Sequence, residues 1–124
     1  MTADTFRRLA LAMNGAVEAA HMGHPDFRAN GRIFATLHPG DERATVKLSP
    51  EEQRELILED PEAFVPASGA WGRQGYTDVV LRGADVAVVR GALVLAWQST
   101  LVKPRRRRSA TDGGRAAPTR RRRS

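Results

Sequence analysis

Residues 69–77, GAWGRQGYT, gather more groups able to touch a ligand than any other short stretch of the chain. Trp71 and Tyr76 could stack on a planar ring, Arg73 could pair with a phosphate, and Gln74 could hydrogen-bond a base edge. Gly72-Arg73-Gln74-Gly75 also has the G-x-x-G spacing with which KH domains clamp a nucleic-acid backbone. The KH loop joins two helices. Here a loop bearing proline and glycine precedes the motif and the strand-like TDVVL follows, so the context does not fit. Two readings stand. The segment is a wide turn feeding a strand, with one aromatic packed on the core edge, or it is a contact surface. Both hold if one aromatic faces in and the other out.

Signals for catalysis or metal binding are sparse. There is no Cys, hence no disulfide, thiolate nucleophile or sulfur-ligated zinc. No G-x-S-x-G or phosphate-binding loop occurs, and the five serines fall in turns, helix ends or the C-terminal segment. His21 and His24, if they share one strand, point to opposite faces because their spacing is odd. His24 and Asp26 could share a face, but two ligands are fewer than zinc usually draws from protein. No catalytic residue, cofactor or metal is therefore expected.

The net charge of +6 conceals a division. From residue 103 onward there are ten basic side chains and one acid, including Arg105, Arg106, Arg107, Arg108, Arg120, Arg121, Arg122 and Arg123. Residues 1–102 hold ten basic side chains against thirteen acids. A high isoelectric point is thus a property of the C-terminal segment, which has almost no apolar residues and is expected to be disordered. Clustered guanidinium groups attract phosphates by charge and by fork geometry, and they bind nucleic acid with little sequence preference through counterion release. Arg7-Arg8 ahead of LALAM is similar to the start of a twin-arginine export signal, but the apolar run is too short. No run is long enough for a membrane span. A cytoplasmic location and no membrane partner are expected; oligomeric state is left open.

The elements that must position these groups read as follows. TADTFRRLALAMNG has Phe6, Leu9, Ala10 and Met13 at helical spacing, Thr2 or Asp4 as cap, and Gly15 as a stop. Asn30-Gly31 between two apolar runs predicts a tight hairpin. RATVKL alternates, burying Ala44, Val46 and Leu48 and placing Lys47 on the open face of a sheet. SPEEQRELILED starts with a capping box, Ser49 with Glu52, and stops before Pro61. After a loop and the strand TDVVL, Asp85 caps a last helix over 86–102, with Val89, Leu93, Ala96 and Trp97 on one side. The order α-β-β-β-α-β-α predicts one two-layer α+β domain over 1–102, an antiparallel sheet with helices on one face, and a basic segment over 103–124.

In order and spacing, FRRLALAMNGAVE, HPDFRANGRIFATLHP, ATVKLSPEEQRELI and PEAFVPASGAWGRQGYTDVVL resemble the MmcQ/YjbR family over about residues 4–102. The resemblance implies a small bacterial α+β protein with a two-layer fold similar to CyaY/frataxin or to secretion chaperones, commonly labelled DNA-binding and without established catalytic residues. Lys47 matches a lysine typical of the pattern, and WGRQGYT matches the turn into the later strand. The expected function is a non-enzymatic DNA-binding protein, weakly sequence-specific. In that reading the arginine blocks supply affinity, with contacts from Lys47, Arg73 and Gln74. The alternative is a small-ligand or protein-binding module with a cleft near Trp71 and Tyr76.

Overall fold

The computed structural model describes residues 1–38, 40 and 42–101; the eight clustered arginines between 105 and 123 lie outside them. Helix α1 (Ala3–Leu11) is capped by the Thr2 hydroxyl, which accepts from the Thr5 amide, and it buries Phe6 and Ala10. Four strands follow: β1 (Val17–His21), β2 (His24–Ala29), β3 (Arg32–His38) and β4 (Arg43–Lys47). Then come α2 (Pro50–Glu59), β5 (Phe64–Pro66), α3 (Gly69–Arg73), β6 (Tyr76–Val80), α4 (Val86–Gln98) and a 3-10 turn (Ser99–Leu101). The strands form one antiparallel sheet in the order β1-β2-β3-β4-β6-β5.

Local chemistry explains most of these boundaries. Asn30 and Gly31 both take positive φ, 54° and 77°, as a two-residue hairpin between β2 and β3 requires. Ser49 and Glu52 complete the capping box of α2 with bonds of 3.1 and 2.9 Å. Asp85 Oδ1 accepts from the amides of Ala87 and Val88 to start α4. In β4 and β6 the alternation is clean: Ala44, Val46, Thr77 and Val79 face the core. Helices α1 and α4 cover the middle of that face, and α2 covers the β5–β6 end. Phe6, Phe27, Phe34, Leu37, Val46, Phe64, Val79, Val89 and Leu93 fill the space between sheet and helices. This is the expected two-layer α+β architecture.

The element order is richer than α-β-β-β-α-β-α. β1 is an additional edge strand; its five residues are mostly exposed, so no apolar alternation marks it. β5 has three residues and ends on Pro66, in keeping with an edge position. The segment read as a wide turn contains α3, and the helical part of the last element stops at Gln98. His21 and His24 do not share a strand. Met22 and Gly23, with φ of 51° and 81°, form the turn between β1 and β2, and the two histidines become register partners on one face.

Candidate functional site

Helices cover one face of the sheet; the other face carries the candidate site. Register aligns one residue from each of four neighbouring strands there: Asp26 opposite Thr36, Thr36 opposite Thr45, Thr45 opposite Asp78. Three members of this polar row, Thr36, Thr45 and Asp78, line a groove of about 510 Å³, and Asp26 lies buried at the end of the row. His21, Ile33 and His38 border it on the β1–β3 side, and Ala67, Ser68, Trp71 and Tyr76 close the other side. Aromatic and aliphatic walls over a few convergent polar groups are the usual make-up of a ligand-binding concavity.

The aromatic wall is held by backbone packing. Trp71 leaves 61 % of its surface exposed, and its ring meets Tyr76 edge-to-face at 4.9 Å and 89°. Lys47, the register partner of Tyr76, brings its ammonium 5.8 Å from the tyrosine ring centre. α3 reaches this place because two glycines let backbones touch. A Cβ on Gly72 would run into the Ala67 carbonyl oxygen, and one on Gly75, at φ 108°, into the Leu48 carbonyl oxygen. Gln53, buried on α2, donates to the carbonyls of Gly72 and Tyr76, each at 3.0 Å. Thr77 Oγ1 donates to the Gly75 carbonyl at 2.8 Å. The G-x-x-G spacing is thus a packing device, and the aromatic at 71 is the one turned outward.

Two hydrogen-bonded chains order the polar floor. Asp26 is fully buried on the open-face side. It accepts from Arg28 Nε at 2.7 Å, Arg28 Nη2 at 3.1 Å and His21 Nδ1 at 2.6 Å. The Arg28 hydrogen bonds hold the Asp26 carboxyl below its ordinary range, against the opposing effect of burial, and His21 adds to the lowering. An ionised carboxylate only accepts, so His21 donates to it from Nδ1. In the second chain Thr45 Oγ1 donates to Asp78 Oδ1 at 2.8 Å. Its hydrogen is therefore committed, and His38 Nε2, 2.9 Å away, must be the donor to Thr45. His38 Nδ1 then faces His24 Nδ1 at 3.4 Å, the two rings 5.1 Å apart and tilted by 69°. Arg43 lies 3.5 Å from Asp78, as Arg28 lies 2.7 Å from Asp26.

Of the residues singled out in the sequence, Lys47, Trp71 and Tyr76 come together at one wall. Arg73 ends α3 and Gln74 caps it, both exposed and neither lining the groove. His21, Asp26, Thr36, His38, Thr45 and Asp78 were not anticipated as one surface. One signal was available: in HMGH a glycine turn between two histidines places them side by side on antiparallel strands. The cross-strand row has no local signature, since its members are distant in sequence. Among the described residues no three His, Asp or Glu side chains converge as a preformed metal cluster.

The comparisons with known proteins bear on the fold and the family. The sequence profile of the YjbR family matches residues 11–99. No curated protein matches the chain. A crystal structure of the Deinococcus radiodurans protein DR2400, with a DUF419 domain, superposes with a TM-score of 0.71 at 18 % identity, covering 82 % of this chain and 80 % of that one. A Pseudomonas syringae protein superposes with a TM-score of 0.64 at 16 % identity, covering 81 % of this chain and 99 % of the other.

Proposed function

The chain belongs to the YjbR family, and from that premise we propose that it is a non-enzymatic binding protein whose ligand seats in the open-face groove against Trp71 and Tyr76. The observation that carries this reading is a large exposed tryptophan held in a fixed attitude over an ordered polar floor. Leaving an indole in water forgoes burial that a side chain of this size would otherwise gain. Gly72, Gly75 and Gln53 nevertheless hold the α3 backbone that carries it rigidly in place. A planar ligand edge against Trp71 and hydrogen bonds to the Thr36, Thr45 and Asp78 row would fill the space.

The test is an amide NMR screen of the full chain with small aromatic fragments. Shifts should concentrate on Thr36, Thr45, Tyr76 and Asp78, and Trp71→Ala should abolish them while the rest of the spectrum stays in place. Fragments that settle elsewhere with equal preference would remove the groove from the account.

A second reading is DNA binding, favoured by the excess of nine positive charges after residue 102 and by the exposure of Lys47, Arg73 and Gln74. The body carries three more acids than bases, with Glu51, Glu52, Glu55 and Glu59 on α2, so affinity would come chiefly from the arginine blocks. If eight arginines met phosphates, log affinity against log salt would fall with a slope near about −7. A chain ending at residue 102 should then lose most binding to labelled duplex DNA. Equal affinity of the two chains would exclude the arginine blocks as the source.

No described helix is long and apolar enough to cross a membrane.

A further inference from the structure

The floor of the groove has a fixed hydrogen-bond polarity. Thr45 Oγ1 donates to Asp78 Oδ1 at 2.8 Å, so its one hydrogen is spent within the floor and it can only accept from a ligand. The Asp78 carboxylate has about four lone-pair sites and no hydrogen. Thr45 fills one of them, and Arg43 Nη1 stands 3.5 Å from Oδ2, beyond ordinary hydrogen-bond length. The Asp78 side chain keeps 21 % of its surface exposed and lines the groove, so acceptor capacity remains open to a ligand. The Thr36 and Ser68 hydroxyls, also on the groove, rotate to meet either a donor or an acceptor, and Ser68 makes no capping bond that would hold it. Polarity at the floor is therefore set by Asp78.

We infer that the groove ligand is an uncharged planar nitrogen heterocycle that turns an N–H edge onto Asp78 while its ring lies against Trp71 and Tyr76. The inference rests on the groove as the binding site and adds the polarity of the ligand edge. Tyr76 and Asp78 stand two residues apart on one face of β6, so about 6–7 Å separates the aromatic wall from the carboxylate, a span that a fused two-ring heterocycle bridges. An acceptor at the same place would set its lone pairs against those of the carboxylate and forgo a hydrogen bond to a charged group. A cationic edge is disfavoured as well. The Arg43 guanidinium stands beside Asp78, and the Lys47 ammonium is 5.8 Å from the Tyr76 ring centre, so positive charge already borders floor and wall. In this arrangement the aromatic wall supplies most of the affinity, and Asp78 supplies the selection.

The test compares benzimidazole with benzoxazole, two fused rings of nearly one shape in which a ring N–H is exchanged for oxygen. Each is titrated into the full chain at mildly alkaline pH, where both are uncharged, and followed by amide ¹H–¹⁵N shifts. Both should move Thr45 and Tyr76, and benzimidazole should bind at least about tenfold more tightly, as a hydrogen bond to a charged group requires. Asp78→Asn keeps the size of the side chain but can turn either its oxygen or its NH₂ to the ligand, so the ratio should fall to within about threefold. Equal affinity of the two rings at the groove, or the reverse preference, would overturn the N–H edge and leave the groove standing. Absence of groove shifts with either ring would remove the groove itself, and this inference with it. A preference undiminished in Asp78→Asn would overturn the role of Asp78. The ratio in the unsubstituted chain decides the polarity of the edge even if the variant fails to fold.

Discussion

The two faces of the sheet are built from the same strands by opposite rules. On the helix side Phe27, Leu37, Val46 and Val79 are fully buried beneath α1, α2 and α4, and packing alone fixes them. On the open side Asp26, Thr36, Thr45 and Asp78 form a row fixed by hydrogen bonds and ion pairs, under an aromatic wall left in water. One face minimises exposed apolar surface; the other keeps an indole and an isoleucine exposed beside ordered polar groups. The difference teaches that order on the open face does not come from burial. Substitutions should therefore divide sharply between effects on stability and effects on binding.

The largest stability loss should come from the covered face. We expect Phe27→Ala to cost about 3–5 kcal/mol in urea unfolding, since it empties a fully buried site against Phe6. A cost below about 1 kcal/mol would mean that this face is not the tightly packed one. Next is the junction of the two faces. Gly75→Ala should cost about 3 kcal/mol through positive φ and collision with the Leu48 carbonyl, and it should also displace Trp71. Retained groove binding in a folded Gly75→Ala chain would uncouple the wall from its glycines.

Asp26 tests the cross-strand polar row. Asp26→Ala leaves Arg28 and His21 without their acceptor and should cost about 2 kcal/mol at neutral pH. The folded-state pKa of Asp26 is depressed below its ordinary value of 3.8, so its stabilising effect is present above that value and is lost as pH falls through the folded-state value. The gap between parent and variant should thus be constant near neutrality and shrink on acidification below about pH 4. A gap that widened in acid would contradict the sign of the shift. Smallest of all, Trp71→Ala should change stability by less than about 1 kcal/mol, because most of the ring is already in water.

The same division explains what was legible in the sequence. The covered face announced itself through local signals. Ala44, Val46 and Leu48 alternate, Ser49 and Glu52 have capping-box spacing, and Asn30-Gly31 marks a hairpin. The open face is assembled from residues up to 52 positions apart, Asp26 to Asp78, joined only by register. Trp71 and Tyr76 were legible as a pair because they share one turn. His21 and His24 were misplaced because the strand reading ran through Met22-Gly23 where the chain reverses. β1 escaped notice because an exposed edge strand is held by ladder bonds and needs no apolar pattern.

The groove is tested most directly by where small aromatic molecules bind. Amide chemical shifts of the full chain, recorded with and without an aromatic fragment set, should change along Thr36, Thr45, Tyr76 and Asp78 and nowhere else to a comparable extent. They should lose that response in a Trp71→Ala chain of unaltered thermal stability. Fragment responses that persist without Trp71, or that map to the α2–α4 side, would contradict it.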